Sequence, residues 1–211
     1  MLDNLNNDVI KPLLDLKAVT ISPNEPFTYA SGMKSPIYTD LRMTISNPTL
    51  RTAIFKGLSA KIKEQFPDVT VIGGVATAGI PHAAWVAQEL GLPLIYVRSK
   101  PKDHGAGKQI EGVLKPDDKV VLIDDLISTG GSVLKAVEAV RKENIEVLGV
   151  ASIFSYGLPD AAKNFTEAHT KLTSLLNYRQ MLDYLQHHRI LSDKEVQSAK
   201  EWHKDPWNWK K

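Results

Sequence analysis

The sequence predicts an α/β fold, a parallel sheet flanked by helices, with a small N-terminal hood and a C-terminal helical extension. From Thr70 onward, short apolar runs of strand length alternate with longer segments of helical periodicity, which is typical of a parallel sheet covered on both faces. Hydrophobic residues make up 43% of the 211 residues and charged residues 24%, an ordinary soluble globular composition. This length suits one domain with an appended segment.

The N-terminal elements are predicted from apolar spacing and turn residues. Leu2 to Val19 is expected to be a first helix, because its apolar residues recur three or four positions apart. The stretch FTYASGMKSPIYTDLR, Phe27 to Arg42, favours a hairpin around a Ser-Gly turn. Asn47 and Pro48 then predict a helix start, with the helix continuing to about Phe66.

The remaining elements follow in alternation. The predicted strands are Thr70 to Ala76, Pro93 to Arg98, Lys119 to Asp125 and Val147 to Tyr156, and the predicted helices are Ile80 to Leu90 and Thr129 to Asn144. The polar stretch from Tyr178 is predicted to be helical. We therefore expect a single domain over residues 1–211, with an N-terminal helix and hood (1–45), an α/β core (46–175) and a C-terminal helical extension (176–211).

Composition excludes several classes of function. The net charge of +2 is too small to indicate a nucleic-acid or membrane partner, and no apolar run approaches the roughly 18 residues of a bilayer span. The chain has no cysteine, so disulfides, thiol catalysis and cysteine-bound metals are excluded. Its first ten residues, MLDNLNNDVI, lack the features of a signal peptide. We expect a cytoplasmic protein without nucleic-acid or membrane partners.

The stretch VVLIDDLISTGGS, Val120 to Ser132, carries the clearest functional signal. In open parallel sheets, ligands bind beyond the carboxyl ends of the strands. Here a strand leads into small hydroxyl residues and glycines at the start of a helix, where exposed N–H groups can hold a phosphate. The preceding carboxylates, Asp124 and Asp125, need donor partners such as sugar hydroxyls, so the pattern indicates a sugar phosphate. The alternative is that Asp125, Ser128 or Thr129 only caps the helix.

Two further strand-to-helix junctions lie at the same predicted edge. Arg98 to Gly112 is basic, rich in glycine and almost free of apolar side chains, so it is expected to be a mobile lid over a polyanion. Its alternative is a solvated basic loop without a role. Ala76 to Gly79 offers small residues and backbone donors for a second phosphate group, although close helix–strand packing explains it equally well.

Together these motifs resemble the type I phosphoribosyltransferases. VVLIDDLISTGGS is similar to their fingerprint for 5-phosphoribosyl 1-pyrophosphate (PRPP). Arg98 with Lys102-Asp103-His104-Gly105 is similar to the mobile loop of the orotate-specific members, as is FTYASGMKSPIYTDLR to their hood. The resemblance implies transfer of the phosphoribosyl group to orotate, giving orotidine 5′-phosphate and pyrophosphate in uridylate synthesis. It also implies Mg²⁺ held mainly by PRPP and water without a direct protein ligand, and a homodimer whose active sites are shared across the interface.

The resemblance also implies roles for individual residues. Asp124 and Asp125 would hold the ribose hydroxyls, and Ser128 would lie near the orotate. The catalytic set would be Arg98, Lys102, His104 and Asp125. PRPP would contact Arg98, Lys102, His104, Asp124, Asp125, Leu126, Ile127, Ser128, Thr129, Gly130, Gly131 and Ser132, together with Ala76, Thr77, Ala78 and Gly79.

Three positions depart from residues that some members carry. Ala30 replaces a lysine of the hood, Ser99 replaces a basic residue after the loop arginine, and SYGLPDAA has no counterpart of an arginine near the Val147–Tyr156 strand. The partner of the orotate carboxylate is therefore open, with Lys34 as a candidate. A purine phosphoribosyltransferase, or a PRPP-sensing regulator that binds nucleic acid, are the alternative functions. Trp202, Trp207 and Trp209 are expected to pack the C-terminal segment onto the domain or onto a partner subunit, and stacking on a ligand is the alternative.

Overall fold

A computed structural model describes residues 5–29, 32–100 and 109–210. Its centre is a six-stranded sheet in the order β10-β9-β8-β5-β6-β7, parallel except for the antiparallel edge strand β7. The strands are β5 (Val71–Val75), β6 (Leu94–Val97), β7 (Ile110–Glu111), β8 (Lys119–Ile127), β9 (Glu146–Ser155) and β10 (Lys171–Asn177). The predicted α/β architecture is confirmed.

Helices cover both faces of this sheet. They are α1 (Lys11–Asp15), which continues a π-helical stretch (Asn6–Ile10), α2 (Pro48–Gln65), α3 (Gly79–Leu90), α4 (Gly131–Arg141), α5 (Pro159–Glu167), α6 (Tyr178–His187) and α7 (Asp193–Lys204). On β8, Val121 and Ile123 join the core formed with α2, α3 and α6, whereas Val120 and Leu122 join the core formed with α4 and α5. This alternation is what a strand buried on both faces requires.

Small strands form the N-terminal hood. They are β1 (Val19–Ile21), β2 (Phe27–Thr28), β3 (Lys34–Ser35) and β4 (Ile37–Thr39), followed by a 3-10 helix (Leu41–Ser46). The hairpin is confirmed for β2 and β3, which pair antiparallel around Gly32 at φ +84°. Beyond Pro36 the prediction was wrong, since β4 pairs with β1 instead and Arg42 lies in the 3-10 helix.

Two predicted boundaries were also wrong. The first helix ends at Asp15 rather than Val19, because Lys17 adopts a left-handed conformation (φ +58°) and Val19 begins β1. The strand expected to end at Asp125 continues to Ile127, because β9 pairs with it along that length, with Leu126 opposite Phe154. The aspartates therefore lie within the strand.

The helix predicted over Thr129 to Asn144 is shorter, Gly131–Arg141, and the other boundaries differ by one residue or agree. The Asn47 side chain accepts a hydrogen bond of 3.0 Å from the Leu50 N–H, and Pro48 is the first residue of α2, as predicted. The C-terminal stretch is helical from Tyr178, where Asn177 and Gln180 form a capping box. No prediction covered α5 or β10. The loop predicted over Arg98 to Gly112 was wrong at Ile110–Glu111, which forms β7 by pairing with β6. The division of the domain at residues 45 and 175 stays a prediction. Among the described residues, the helices lack the length and apolar composition of a membrane span.

Candidate active site

Asp124 and Asp125 lie near the carboxyl end of β8, partly buried beside each other. The Asp125 N–H donates to Asp124 Oδ1 at 3.0 Å. Burial, together with the charge of Asp125, raises the pKa of Asp124 to about 7. Burial also raises the pKa of Asp125, although hydrogen bonding and the charge of Arg42 oppose this. Both carboxylates are therefore destabilised in their ionised form, and donor groups of a ligand would stabilise them.

The turn after β8 opens a helix N-terminus to solvent. Gly130 is the N-cap of α4, and no side chain caps this helix, so the alternative of a purely structural cap by Asp125, Ser128 or Thr129 was wrong. The backbone N–H groups of the first turn of α4 are consequently free to bind an anion. Thr129, Gly131 and Ser132 are exposed around it.

Neighbouring elements fix the shape of this turn. Gly130 has φ +82°, and a Cβ atom there would lie 2.6 Å from Cε2 of Phe165 on α5. The Asn164 side chain donates to the Thr129 carbonyl at 2.9 Å, and the Tyr156 N–H donates to the Ile127 carbonyl at 2.9 Å. Contacts with α5 and with the end of β9 therefore hold the turn in its conformation.

The structure brings the first predicted junction against the aspartates. Ala76 to Gly79 connects β5 to α3, with a cis peptide bond between Ala76 and Thr77. A Cβ atom on Gly79 would lie 2.2 Å from the Ile123 carbonyl oxygen and 3.2 Å from the Asp124 Cα. Glycine is therefore required for this close approach, and the exposed Thr77 lies in the same junction.

The basic junction is described only at its base. The Arg98 N–H donates to the Gln109 carbonyl at 2.9 Å, the Gln109 side chain donates to the Arg98 carbonyl at 2.8 Å, and Arg98 Nη1 lies 3.4 Å from Glu111 Oε1. These contacts place both ends of the loop beside the carboxyl end of β6. Lys102 and His104 lie outside the described residues.

The hood contacts the same edge of the sheet. The Tyr29 hydroxyl donates to the Ile37 carbonyl at 2.6 Å and lies 3.3 Å from the hydroxyl of Tyr156, which directly follows β9. Ser35, fully buried, donates to the Tyr29 hydroxyl at 3.0 Å. The Lys34 side chain is exposed on β3, and Ala30 lies outside the described residues.

Arg42 is a site residue to which the sequence reasoning assigned no role. Its guanidinium forms a two-point ion pair with Asp40, with Nε–Oδ1 at 2.7 Å and Nη2–Oδ2 at 2.8 Å. Burial raises the pKa of Asp125, and the positive charge of Arg42 offsets a small part of that rise. The Asp-x-Arg spacing in YTDLR could have indicated the ion pair between Asp40 and Arg42. The sequence could not indicate that Arg42 lies near Asp125, because this depends on the packing of the 3-10 helix against β8.

The donor set of the described residues does not favour a metal cage. No cluster of three or more histidine, aspartate or glutamate side chains suitable for a metal ion occurs within residues 5–29, 32–100 and 109–210. A Mg²⁺ ion that keeps phosphate oxygens and water as ligands needs no such cluster. The Asp124–Asp125 pair fits that arrangement, because it places negative charge beside the anion site.

A strand with paired aspartates, a glycine turn and an open helix N-terminus together define a phosphoribosyltransferase. In agreement, residues 45–171 match the model of the phosphoribosyl transferase domain. The chain is 57% identical over 205 residues to an orotate phosphoribosyltransferase of Lactobacillus johnsonii, covering 97% of both chains. It is 56% identical to one of Enterococcus faecalis, covering 96% of this chain and 97% of that one. The chain belongs to the orotate phosphoribosyltransferase family.

A solved structure agrees with this assignment. The crystal structure of orotate phosphoribosyltransferase from Aeropyrum pernix is similar with a TM-score of 0.72 and 28% sequence identity. The match covers 83% of this chain and 97% of that one. It confirms the predicted phosphoribosyltransferase-like fold.

Proposed function

We propose that the chain transfers the 5-phosphoribosyl group of PRPP to orotate, giving orotidine 5′-phosphate and pyrophosphate in de novo pyrimidine synthesis. The observation that carries this is the Asp124–Asp125 pair near the carboxyl end of β8, the strand that leads through a short turn to the open N-terminus of α4. The high identity to orotate phosphoribosyltransferases over nearly the whole chain supports the choice of orotate as the base.

The aspartates and the α4 turn would hold the ribose 5-phosphate portion of PRPP. Ionised Asp124 and Asp125 accept hydrogen bonds from the ribose 2- and 3-hydroxyls, which relieves the cost of their burial. Backbone N–H groups of Ser128 to Ser132 and their hydroxyls bind the 5-phosphate. Because strand and helix are rigid, the sugar is held in one orientation while its C1 bond breaks.

The basic loop would stabilise the leaving group. Cleavage at ribose C1 leaves an oxocarbenium-like centre and builds negative charge on pyrophosphate, which Arg98 and Lys102 would neutralise. Mg²⁺ bound together with PRPP would supply further positive charge beside the leaving group. His104 would bind or protonate a pyrophosphate oxygen, and the backbone of Ala76 to Gly79 would face the same group.

The hood would complete the base site, with Ser128 and Lys34 as proposed orotate contacts. Arg98, Lys102 and His104 would enter the neighbouring subunit's site, making the enzyme a homodimer with shared sites. The family resemblance supports this assembly. A cytoplasmic location is consistent with the absence of cysteine from the sequence.

The test is a spectroscopic assay with PRPP, Mg²⁺ and one of orotate, adenine, xanthine or uracil. We expect turnover of orotate alone, and turnover of a purine but not orotate would overturn the assignment. Asp125→Asn should reduce PRPP use by about 10- to 100-fold with the fold intact, because a charge-assisted hydrogen bond is lost. The exposed Asp117→Asn, before the other end of β8, is the matched control. Near-normal activity of Asp125→Asn would refute its role.

A further inference from the structure

Three hydrogen bonds join the C-terminal segment to the N-terminal hood, across more than 160 residues of sequence. The Trp202 Nε1–H donates to the Lys34 carbonyl at 3.0 Å. The Asn24 side chain donates to Glu195 Oε1 at 2.9 Å, and Lys210 Nζ donates to the Pro23 carbonyl at 2.5 Å. The hood is therefore held from outside by α7 and the residues after it.

The hood needs such support, because its own hairpin is very short. Strands β2 and β3 pair over only two residues each. An isolated two-stranded hairpin is marginal in water, even when it is longer than this. The acceptor of the indole N–H, the Lys34 carbonyl, belongs to this hairpin, so Trp202 acts directly on strand β3.

Trp202 is itself held rigidly. It is fully buried, its ring lies edge-on to Tyr156 at 6.0 Å between centroids, and it contacts Tyr178 at 5.3 Å. A buried indole N–H requires an acceptor, and this packing aims it at β3.

The adjacent residue on α7 contacts Tyr156, which directly follows β9 and faces the hood. His203 Nε2 lies 2.8 Å from the Tyr156 carbonyl oxygen, and its ring stacks on Tyr178 with an interplanar angle of 8°. Tyr156 in turn meets the hood through the hydroxyl of Tyr29. One helix thus sets both the hood and the end of β9 against which the hood lies.

We propose that α7 positions the hood for base binding, and that Trp202 is a positioning residue acting through the Lys34 backbone. This inference rests on the proposed function, in which the hood contacts orotate. The PRPP site has other supports, since the Gly130 turn is fixed by Phe165 and Asn164 of α5. Loss of the Trp202 hydrogen bond should therefore weaken the binding of the base selectively.

The test variant is Trp202→Phe, which keeps an aromatic ring but removes the N–H donor. We expect the KM for orotate to rise about three- to tenfold, the change that corresponds to one lost neutral hydrogen bond. The KM for PRPP and the kcat should remain at the wild-type values. A purely structural role would instead lower the amount of active enzyme and leave both KM values unchanged. Trp207→Phe, at a side chain that is 56% exposed, is the matched control.

An unchanged KM for orotate, or an equal rise for PRPP, would overturn the inference. If Trp202→Phe does not fold, the double variant Asn24→Ala with Lys210→Met removes the two other hydrogen bonds while Trp202 stays in place. It also removes the contact of Lys210 with the ring of Trp209. This double variant too must raise the KM for orotate but not the KM for PRPP. If the KM for orotate is unchanged, the positioning role is refuted. Failure of the wild-type chain to use orotate would overturn the proposed function and the inference together, so the two failures are distinguishable.

Discussion

Replacing Gly130 by alanine should deform the turn that we assign to the 5-phosphate. Gly130 has φ +82°, a left-handed conformation that costs an alanine about 1–2 kcal/mol. The added Cβ would also lie 2.6 Å from Cε2 and 3.2 Å from Cδ2 of Phe165, and such overpacking costs about 1–3 kcal/mol. We expect the free energy of unfolding to fall by about 2–5 kcal/mol, the sum of the two costs.

Gly130→Ala should also impair catalysis, because relief of the contact and of the backbone strain displaces the turn, α5 or the buried Phe165 ring. A displacement of this kind near a phosphate should raise the KM for PRPP on the order of tenfold. Urea unfolding and PRPP saturation kinetics measure the two effects. Gly131→Ala is the matched control for stability: its Cβ would have only Thr129 Oγ1 within 4 Å, at 3.9 Å, so no loss of stability is expected.

A second substitution, at Phe165, separates the backbone cost of Gly130→Ala from its steric cost. In a Phe165→Leu background the ring atom Cε2 is absent, so Gly130→Ala should lose about 1–3 kcal/mol less than in the wild-type background. The backbone cost should remain in both backgrounds. An identical loss in the two backgrounds, or a loss below about 1 kcal/mol in the wild-type chain, would refute the steric reasoning.

Two further predictions concern the charges of the site. Because burial raises the pKa of Asp124 to about 7, above its unfolded value near 4, the folded chain keeps a proton that the unfolded chain releases. The unliganded protein should therefore lose stability as pH rises from about 4 to about 7, and Asp124→Asn should flatten this dependence; an unchanged pH profile of urea unfolding would contradict it. Lys102→Ala should inactivate the enzyme, but an equal mixture with Asp125→Asn subunits should recover about a quarter of the wild-type activity if each site combines Asp125 of one subunit with Lys102 of its partner. If activity does not recover after the subunits have exchanged, the sites are not shared between subunits.

The local parts of the fold were predictable from sequence. The alternation of Val120, Val121, Leu122 and Ile123 between two cores, and the glycine turn after β8, are encoded within a dozen residues. Boundaries set by tertiary pairing were not. The extent of β8 depends on β9 beside it, and the early end of the first helix depends on Lys17 and on the pairing of β1 with β4.

The candidate site divides in the same way. Asp124, Asp125 and the α4 turn could be selected as candidate site residues from the sequence, because the carboxylates and the glycine-rich helix start are close together along the chain. Arg42 and Tyr156 were not assigned roles, because their places beside Asp125 and Tyr29 result from packing between distant segments. The roles of all the predicted site residues stay predictions, and Lys102 and His104 also lie outside the described ranges.

This division has a consequence for specificity between bases. The ribose 5-phosphate part of the proposed PRPP site lies on one continuous strand–turn–helix unit, whose turn is held in place by contacts of Gly130 and Thr129 with α5. The proposed base site is assembled from the hood, the end of β9 and α7, which meet through single contacts such as those of Trp202 with Lys34 and His203 with Tyr156. Small shifts of these contacts would alter the base site and leave the proposed ribose 5-phosphate site unchanged. The two KM values should therefore respond independently to substitutions in the two regions.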